Sequence, residues 1–462
     1  MISYSNICDK VIVLLHSEKL KQRAIRGAIF TTIGYGAVQA IRLVSNLILT
    51  RILFPEAFGL MAIIQVFMQG VAMFSDLGIG ASIIQNKRGD DSVFLDTAWT
   101  VQVIRGALLF VIIFLISAPI ARIYDAPILG CLMPVAGITA LIGGFTPTKL
   151  QTENKNLRLG YITMIDISSQ IISVVILICL ALWTGSVWAL IFGGLTGSFI
   201  KLVLVHRYMR GRNNSFCWDH DSLRHLIKFG KWIFLGSVVG FFANQSDKLI
   251  LASYMTNSEL GVYSVAFGIA SIFWVLHSKI NHYIFFPIYS HFKDLNSSQL
   301  RPKVYKARIV MCSFLMPPII ILILFGDKLI SFLYDERYSE AGWMMRILCA
   351  GYIVSIATNI GPFYLAQGNS KLMTKLIAVK AVVFVTCMLA GGEMYGVIGV
   401  LMGTVSSHIV FYLIESSVYR HFGLWIWQLD AIFLIIVLAI FGIDYFVVSA
   451  GRYGFLAIGR YG

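Results

Sequence analysis

Polar side chains recur at helical spacing inside stretches that are otherwise apolar. Tyr35, Gln39, Arg42 and Asn46 are four, three and four residues apart, which puts them on one face of a helix. Ser237, Phe241, Asn244 and Lys248 repeat that spacing, with Asp247 beside them. Gln65, Gln69 and Asp76 share another face, as do Gln102 and Arg105, and Asp166, Ser169, Gln170 and Ser173. A charge at the centre of a helix in hydrocarbon costs about 2.5–3.5 kcal/mol. Charges there either pair with one another, as Arg42, Asp76, Arg105 and Asp247 would, or line a watery cavity. A cavity lined by Arg42, Arg105 and Lys248 would suit a diphosphate, because a guanidinium fork donates two hydrogen bonds while staying charged. Asn46, Gln69 and Asn244 would then meet sugar hydroxyls. Asp76 and Asp247 could neutralise the empty cavity or carry a coupling cation, H+ or Na+. Gln65, Gln69 and Gln170 are more often hydrogen-bonded glue between helices than ligand contacts.

No HExxH, GxSxG or P-loop sequence is present, and no cofactor motif. The seven cysteines are scattered without a CxxC, which supports neither a disulfide framework nor a zinc site. Asp335-Glu336 reads as a charged loop tip within a short connection at 326–341. Lys201, Arg308, Lys375 and Lys380 lie near enough to the ends of their apolar stretches to snorkel. His277 and Lys279 read either way.

The stretches that must position these groups cross a membrane. Hydrophobic residues make up 58% of the chain and charged ones only 13%, against about 25% charged in soluble domains. Apolar stretches of about 20 residues, each long enough to span a bilayer, recur from end to end. They must satisfy their own backbone and are therefore helices; strict alternation, the mark of an outer-membrane barrel, is missing. The expected spans are 28–49, 58–83, 94–117, 128–146, 161–183, 187–206, 232–255, 260–288, 306–325, 342–366, 372–390, 394–418 and 425–448. The formal charge of +14 sits mainly in alternate connections, those following even-numbered spans. This is the positive-inside pattern, not a nucleic-acid surface, and it puts the N-terminus in the cytoplasm. Residues 1–26 then form a cytoplasmic lead-in, and thirteen spans place Gly462 on the far side.

The spans fall into two copies. Leu47-Ile48-Leu49 and Gly59 recur as Leu249-Ile250-Leu251 and Gly261 at an offset of 202 residues, and Gly34 falls on Gly236. The longest connection, 207–231, separates a six-helix half at 27–206 from a second at 232–418, with an extra helix and tail at 419–462. An even number of spans per half makes the repeat parallel, related by an axis along the membrane normal.

The stretch Leu49-Thr50-Arg51-Ile52-Leu53-Phe54-Pro55-Glu56-Ala57-Phe58-Gly59-Leu60, with Phe74-Ser75-Asp76-Leu77-Gly78-Ile79-Gly80 and Ile83-Ile84-Gln85, resembles the polysaccharide-exporter branch of the multidrug/oligosaccharidyl-lipid/polysaccharide (MOP) flippase superfamily. Colanic-acid-type exporters and O-antigen (Wzx-type) flippases are members. Asp247-Lys248-Leu249-Ile250-Leu251 and Leu260-Gly261-Val262-Tyr263 resemble the matching block of the second half. The resemblance implies a V-shaped pair of six-helix bundles that moves an undecaprenyl-diphosphate-linked oligosaccharide across the bacterial cytoplasmic membrane by alternating access. Membrane lipids, a polysaccharide polymerase and other assembly proteins are the partners it implies. Basic residues in the central cavity of the family engage the diphosphate, and Arg42 and Lys248 occupy suitable places on the first helix of each half. Two alternatives stand beside this reading. A cation-coupled multidrug exporter of the same fold would show a site of carboxylates and aromatic rings; a membrane glycosyltransferase or ligase would need a catalytic loop.

Overall fold

The computed structural model describes residues 20–86, 88–156, 158–281, 297–358, 370–428, 430–432 and 435, with the side chains of 20–32, 85, 232, 235, 243–244, 297–298, 357–358 and 370–371 outside that set. Among the described residues the chain is helical, without strands. The helices are α1 Leu20–Ile52, α2 Pro55–Met73, α3 Ile79–Gln85, α4 Ser92–Ile123, α5 Leu129–Gly144, α6 Lys149–Lys155, α7 Leu159–Thr184 and α8 Trp188–Tyr208. They continue with α9 His220–Tyr254, α10 Asn257–Ile280, α11 Ser297–Leu333, α12 Ala341–Thr358 and α13 Ser370–His421. Nine of the described helices are long and apolar enough to cross a membrane, or ten if the bent pair α5 and α6 counts as one span. The chain is a multi-pass membrane protein. Of the expected thirteenth span, 425–448, only 425–428, 430–432 and 435 are described.

Local chemistry sets where the helices begin and end. Pro55 opens α2, where its missing N–H costs nothing. The Asp91 carboxylate accepts from the Val93 N–H at 3.2 Å to cap α4. Asp219 caps α9, accepting from the Ser222 N–H at 2.9 Å. The Ser222 hydroxyl and N–H together hold the Asp219 carboxyl below its ordinary range. The cap therefore contributes stability above the usual carboxylate pKa and loses it as the pH falls through the lowered one.

The second expected span, 58–83, is broken: α2 stops at Met73 and α3 begins at Ile79. Asp76 sits in the break, not on the α2 face that carries Gln65 and Gln69, and its Oδ1 accepts from the Gly78 N–H at 2.8 Å. The eleventh and twelfth expected spans are the two arms of α13, separate helices divided by non-helical backbone at Tyr395 and at Gly396, whose φ of 59° favours glycine. A Cβ on Gly403 would lie 2.5 Å from the Cys387 carbonyl oxygen, so the two arms of α13 double back on each other.

The chain forms two compact units, Met1–Gly261 and Val262–Gly462. In the first unit α1 packs on α7, α4 on α5, α7 on α8, and α9 on α2, α3 and α4. In the second, α11 packs on α12 and α12 on α13. This division lies in the first turns of α10, and the sequence repeat expects a joint at 207–231. Residues 220–231 belong to α9, and only 209–219 is non-helical.

This short segment is stitched to α4. Asp96, 5% exposed, takes the Arg212 guanidinium in an ion pair. The same carboxylate accepts from Asn214 Nδ2 at 3.1 Å, the Ser215 N–H at 3.2 Å and the Ser215 hydroxyl at 3.0 Å. The Cys217 N–H donates to Thr100 Oγ1 at 3.0 Å and the Asp219 N–H to Thr97 Oγ1 at 3.2 Å. Asp96→Ala strips this segment of its central acceptor and should cost about 1.5–3 kcal/mol. Thermal unfolding in detergent should show the loss, and an unchanged melting point would mean the segment holds without Asp96.

Candidate functional site

The α1 stripe has the geometry its spacing predicts. Tyr35, Gln39 and Asn46 are half-buried, while Arg42 is exposed on the surface of the helix. Among the described residues, nothing forms a hydrogen bond or ion pair with the Arg42 side chain. A guanidinium in that state keeps all five donors for a ligand or water.

Arg105 is engaged differently. Its Nε donates to the Ser75 hydroxyl at 3.0 Å and its NH2 to the Ala72 carbonyl at 2.6 Å. These groups lie at the broken end of α2, where a helix leaves carbonyls without partners. Arg105 therefore ties α4 to the end of α2. Gln102, one turn earlier on α4, does the same for α5: its Nε2 reaches the carbonyls of Gly143 at 3.2 Å, Gly144 at 3.1 Å and Thr146 at 3.0 Å. Nothing in the sequence announces these roles, because the carbonyls become available only where α2 and α5 stop.

The remaining candidates lie on α9 and its partners. Gln245 Nε2 donates to Gln69 Oε1 at 3.0 Å, joining α9 to α2. The Ser237 hydroxyl reaches Asp76 Oδ2 at 3.5 Å. Phe241 packs edge-on against Phe74, with ring centroids 4.9 Å apart. Asp247 is buried and Lys248 half-buried in the same helix; Asn244 belongs to α9, but its side chain lies outside the described residues. The structure thus brings Gln69, Asp76 and Arg105 to the end of α2, with α9 beside them. Arg42 and Asn46 stand apart on α1, which packs on α7.

Several charges expected to snorkel do not. Lys201 pairs with Asp166 at 2.7 Å between α8 and α7. Arg308 is 2% exposed and forms an ion pair with Asp430, itself 1% exposed. Lys380 is half-buried over two aromatic rings. A snorkelling argument counts only the distance to the helix end, and here a partner across the bundle outweighs it. At the loop tip 335–336, Asp335 caps a turn of helix at Glu336–Tyr338 and pairs with Arg337. No group of three or more His, Cys, Asp or Glu side chains able to hold a metal occurs among the described residues.

Comparison with known proteins places these observations. The profile of a family described as polysaccharide biosynthesis protein matches residues 48–342. The lipopolysaccharide biosynthesis protein WzxC of Escherichia coli (strain K12) is 24% identical over 421 residues, covering 88% of this chain and 85% of that protein. The teichuronic acid biosynthesis protein TuaB of Bacillus subtilis (strain 168) is 22% identical over 358 residues, covering 75% of this chain and 74% of that protein. Among solved structures, the lipid II flippase MurJ in an inward closed conformation superimposes with a TM-score of 0.68 at 15% identity, covering 90% of this chain and 93% of MurJ. An inward-facing multidrug resistance transporter of the MATE family, from the MOP superfamily, gives 0.60 at 13% identity, covering 87% of this chain and 95% of that one. These likenesses establish the MOP fold.

Proposed function

We propose, since the chain belongs to the polysaccharide biosynthesis protein family, that it flips an undecaprenyl-diphosphate-linked oligosaccharide across the cytoplasmic membrane of a bacterium by alternating access. The product would feed O-antigen, capsule or exopolysaccharide assembly, with a polymerase as a downstream partner. It is a transporter, and no chemical step on the substrate is needed for its work. The N-terminus lies in the cytoplasm on this reading, from the charge alternation of the connections.

The observation that carries the reading is the exposed Arg42 on the polar face of α1, flanked by Gln39 and Asn46. A fixed cation held at that depth is expensive unless something anionic meets it. A diphosphate accepts the bidentate hydrogen bonds a guanidinium offers, and amide side chains on the same stripe suit the sugar hydroxyls. Lys248 would be the matching cation on the first helix of the second half. Asp76 and Asp247 remain the carboxylates for neutralising the empty cavity or for a coupling cation.

The test is reconstitution into liposomes with a fluorescent diphosphate-linked oligosaccharide in one leaflet. Protein-dependent exposure of the fluorophore to an impermeant quencher on the other side is expected. The second reading, a multidrug exporter, rests on the shared fold of MATE transporters; protein that extrudes organic cations and leaves the lipid-linked sugar in place would establish it instead. Within the first reading, charge at Lys248 matters more than shape. Lys248→Ala should lower complementation of a flippase-deficient strain about tenfold or more, the worth of one charge-assisted hydrogen bond, and Lys248→Arg should keep part of the activity. Full complementation by Lys248→Met would remove Lys248 from the diphosphate site.

A further inference from the structure

The contact between α2 and α9, within the first unit, combines small residues, aromatic rings and amides. Gly70 and Gly240 let the two helices close up. A Cβ on Gly70 would lie 3.0 Å from the Phe241 ring, and one on Gly240 would lie 3.5 Å from the Met73 methyl carbon. Phe241 thus fills the space beside Gly70. Around it stand Phe74, with ring centroids 4.9 Å apart, and Phe242, at 5.5 Å. Phe74 and Phe242 are themselves 6.1 Å apart. Phe241 is buried, whereas Phe74 and Phe242 are both exposed. One turn beyond Phe241 on α9, and next to Gly70 on α2, lies the pair in which Gln245 Nε2 donates to Gln69 Oε1 at 3.0 Å.

This pair does more than glue two helices. One hydrogen bond between two primary amides leaves a carbonyl oxygen and an NH2 group over, whichever way the amides are turned. Gln245 is 9% exposed, and its Oε1 has no hydrogen-bond partner among the described residues. Buried acceptors are ordinarily paired, so this oxygen points to a donor from a bound molecule. Gln69 is exposed, and its Nε2 donates to nothing among the described residues. Gln65, one turn away on the same face of α2, is exposed as well. Two successive amides are costly against hydrocarbon, so this face meets water or a polar ligand.

We propose that Gln69, Gln245, Phe74 and Phe242 form a subsite for an N-acetylated sugar of the transported glycan. An acetamido group is itself an amide. Its N–H would donate to Gln245 Oε1 and its carbonyl oxygen would accept from Gln69 Nε2, closing the set of hydrogen bonds that the glutamine pair leaves open. A hydroxyl in its place carries donor and acceptor on one oxygen and cannot reach both groups. The acetamido methyl and the C–H face of the sugar ring are apolar, and they suit the exposed rings, whose faces are electron-rich. Lys248 lies three residues beyond Gln245, about 4.5 Å of helix rise. A diphosphate held at Lys248 therefore brings its glycan within reach of the amides. The proposal rests on the flippase reading and adds a sugar preference to it. Gln245, which the spacing of Ser237, Phe241, Asn244 and Lys248 passes over, becomes a determinant of specificity.

The experiment is calorimetric binding to purified full-length protein in lipid nanodiscs. The probes are farnesyl diphosphates carrying N-acetylglucosamine or N-acetylgalactosamine, and their glucose and galactose counterparts. Wild type is expected to bind an acetamido probe about tenfold or more tightly than its hydroxyl counterpart, the worth of one well-made hydrogen bond. Gln245→Leu and Gln69→Leu should each bring that ratio close to one and leave binding of the hydroxyl probe nearly unchanged. Phe242→Leu should weaken both probes and keep the ratio. A glutamine pair that only holds helices together would lower the melting temperature without moving the ratio. Should Gln245→Leu not fold, Gln69→Leu, altered at an exposed position, carries the test. A wild-type ratio near one for both sugar pairs, or a wild-type ratio retained by folded Gln69→Leu, overturns the subsite and leaves the flippase reading standing, because the diphosphate still binds. Failure of wild type to bind any probe would count against the flippase reading, and the subsite falls with it.

Discussion

Gly59→Ala is expected to abolish glycan export. A Cβ on Gly59 would lie 1.8 Å from the Asn257 carbonyl oxygen, and a Cβ on Gly261 would lie 1.8 Å from the Pro55 carbonyl oxygen. Both obstacles are backbone, so no rotamer change relieves them. The four residues are two pairs at the repeat offset, Pro55 with Asn257 and Gly59 with Gly261, and each copy's glycine meets the other copy's carbonyl. Inserting a methyl group into such a contact costs about 1–3 kcal/mol by overpacking. The double variant Gly59→Ala, Gly261→Ala should cost less than the sum of the two, because once the backbones separate the second methyl finds room. Complementation of an export-deficient strain and thermal unfolding of each variant give the answer. Normal glycan display by Gly59→Ala at normal protein levels would show that the contact is dispensable.

Arg42→Ala should lose export by about tenfold to hundredfold or more while the protein still inserts at normal levels. That range follows from about 1.5–3 kcal/mol for one hydrogen bond to a charged group, and losing both bonds of a bidentate guanidinium would exceed it. A purely structural arginine behaves otherwise: it holds partners, and its removal lowers the amount of folded protein. Arg105 is of that kind, through Ser75 and the Ala72 carbonyl. Arg105→Ala should therefore reduce the melting temperature, whereas Arg42→Ala should leave it unchanged. Normal glycan display in an Arg42→Ala strain at normal expression would remove Arg42 from substrate binding.

What the sequence discloses of this fold depends on how far apart the deciding residues are. The third, fifth and sixth expected spans, 94–117, 161–183 and 187–206, fall on Ser92–Ile123, Leu159–Thr184 and Trp188–Tyr208. Apolar length is a local property and bilayer thickness sets its scale. The α1 stripe is legible for the same reason, since helical period places Arg42 and Asn46 whatever else the chain does. The break after Met73 is a competition among backbone carbonyls, Asp76 and Arg105, the last of them 30 residues from its partner Ser75. Arg308 reads as a snorkelling charge in the sequence because its partner Asp430 is 122 residues away. The polar residues of 220–231 resemble a linker and put the expected start of span seven at residue 232; Asp219 starts the helix at His220.

The segment 209–219, bound to α4, and α9, packed on α2, place an inherited seam and a mechanical one at different points in the chain. The sequence repeat expects the division between α8 and α9. Packing divides the chain at Gly261, in the first turns of α10. A gene split between α8 and α9 would separate α9 from the helices α2, α3 and α4 on which it packs. Two polypeptides separated at the non-helical Met255–Thr256 would keep α9 with the helices it packs on and leave α10 whole, so a bisected carrier stands its best chance of reassembly from that cut.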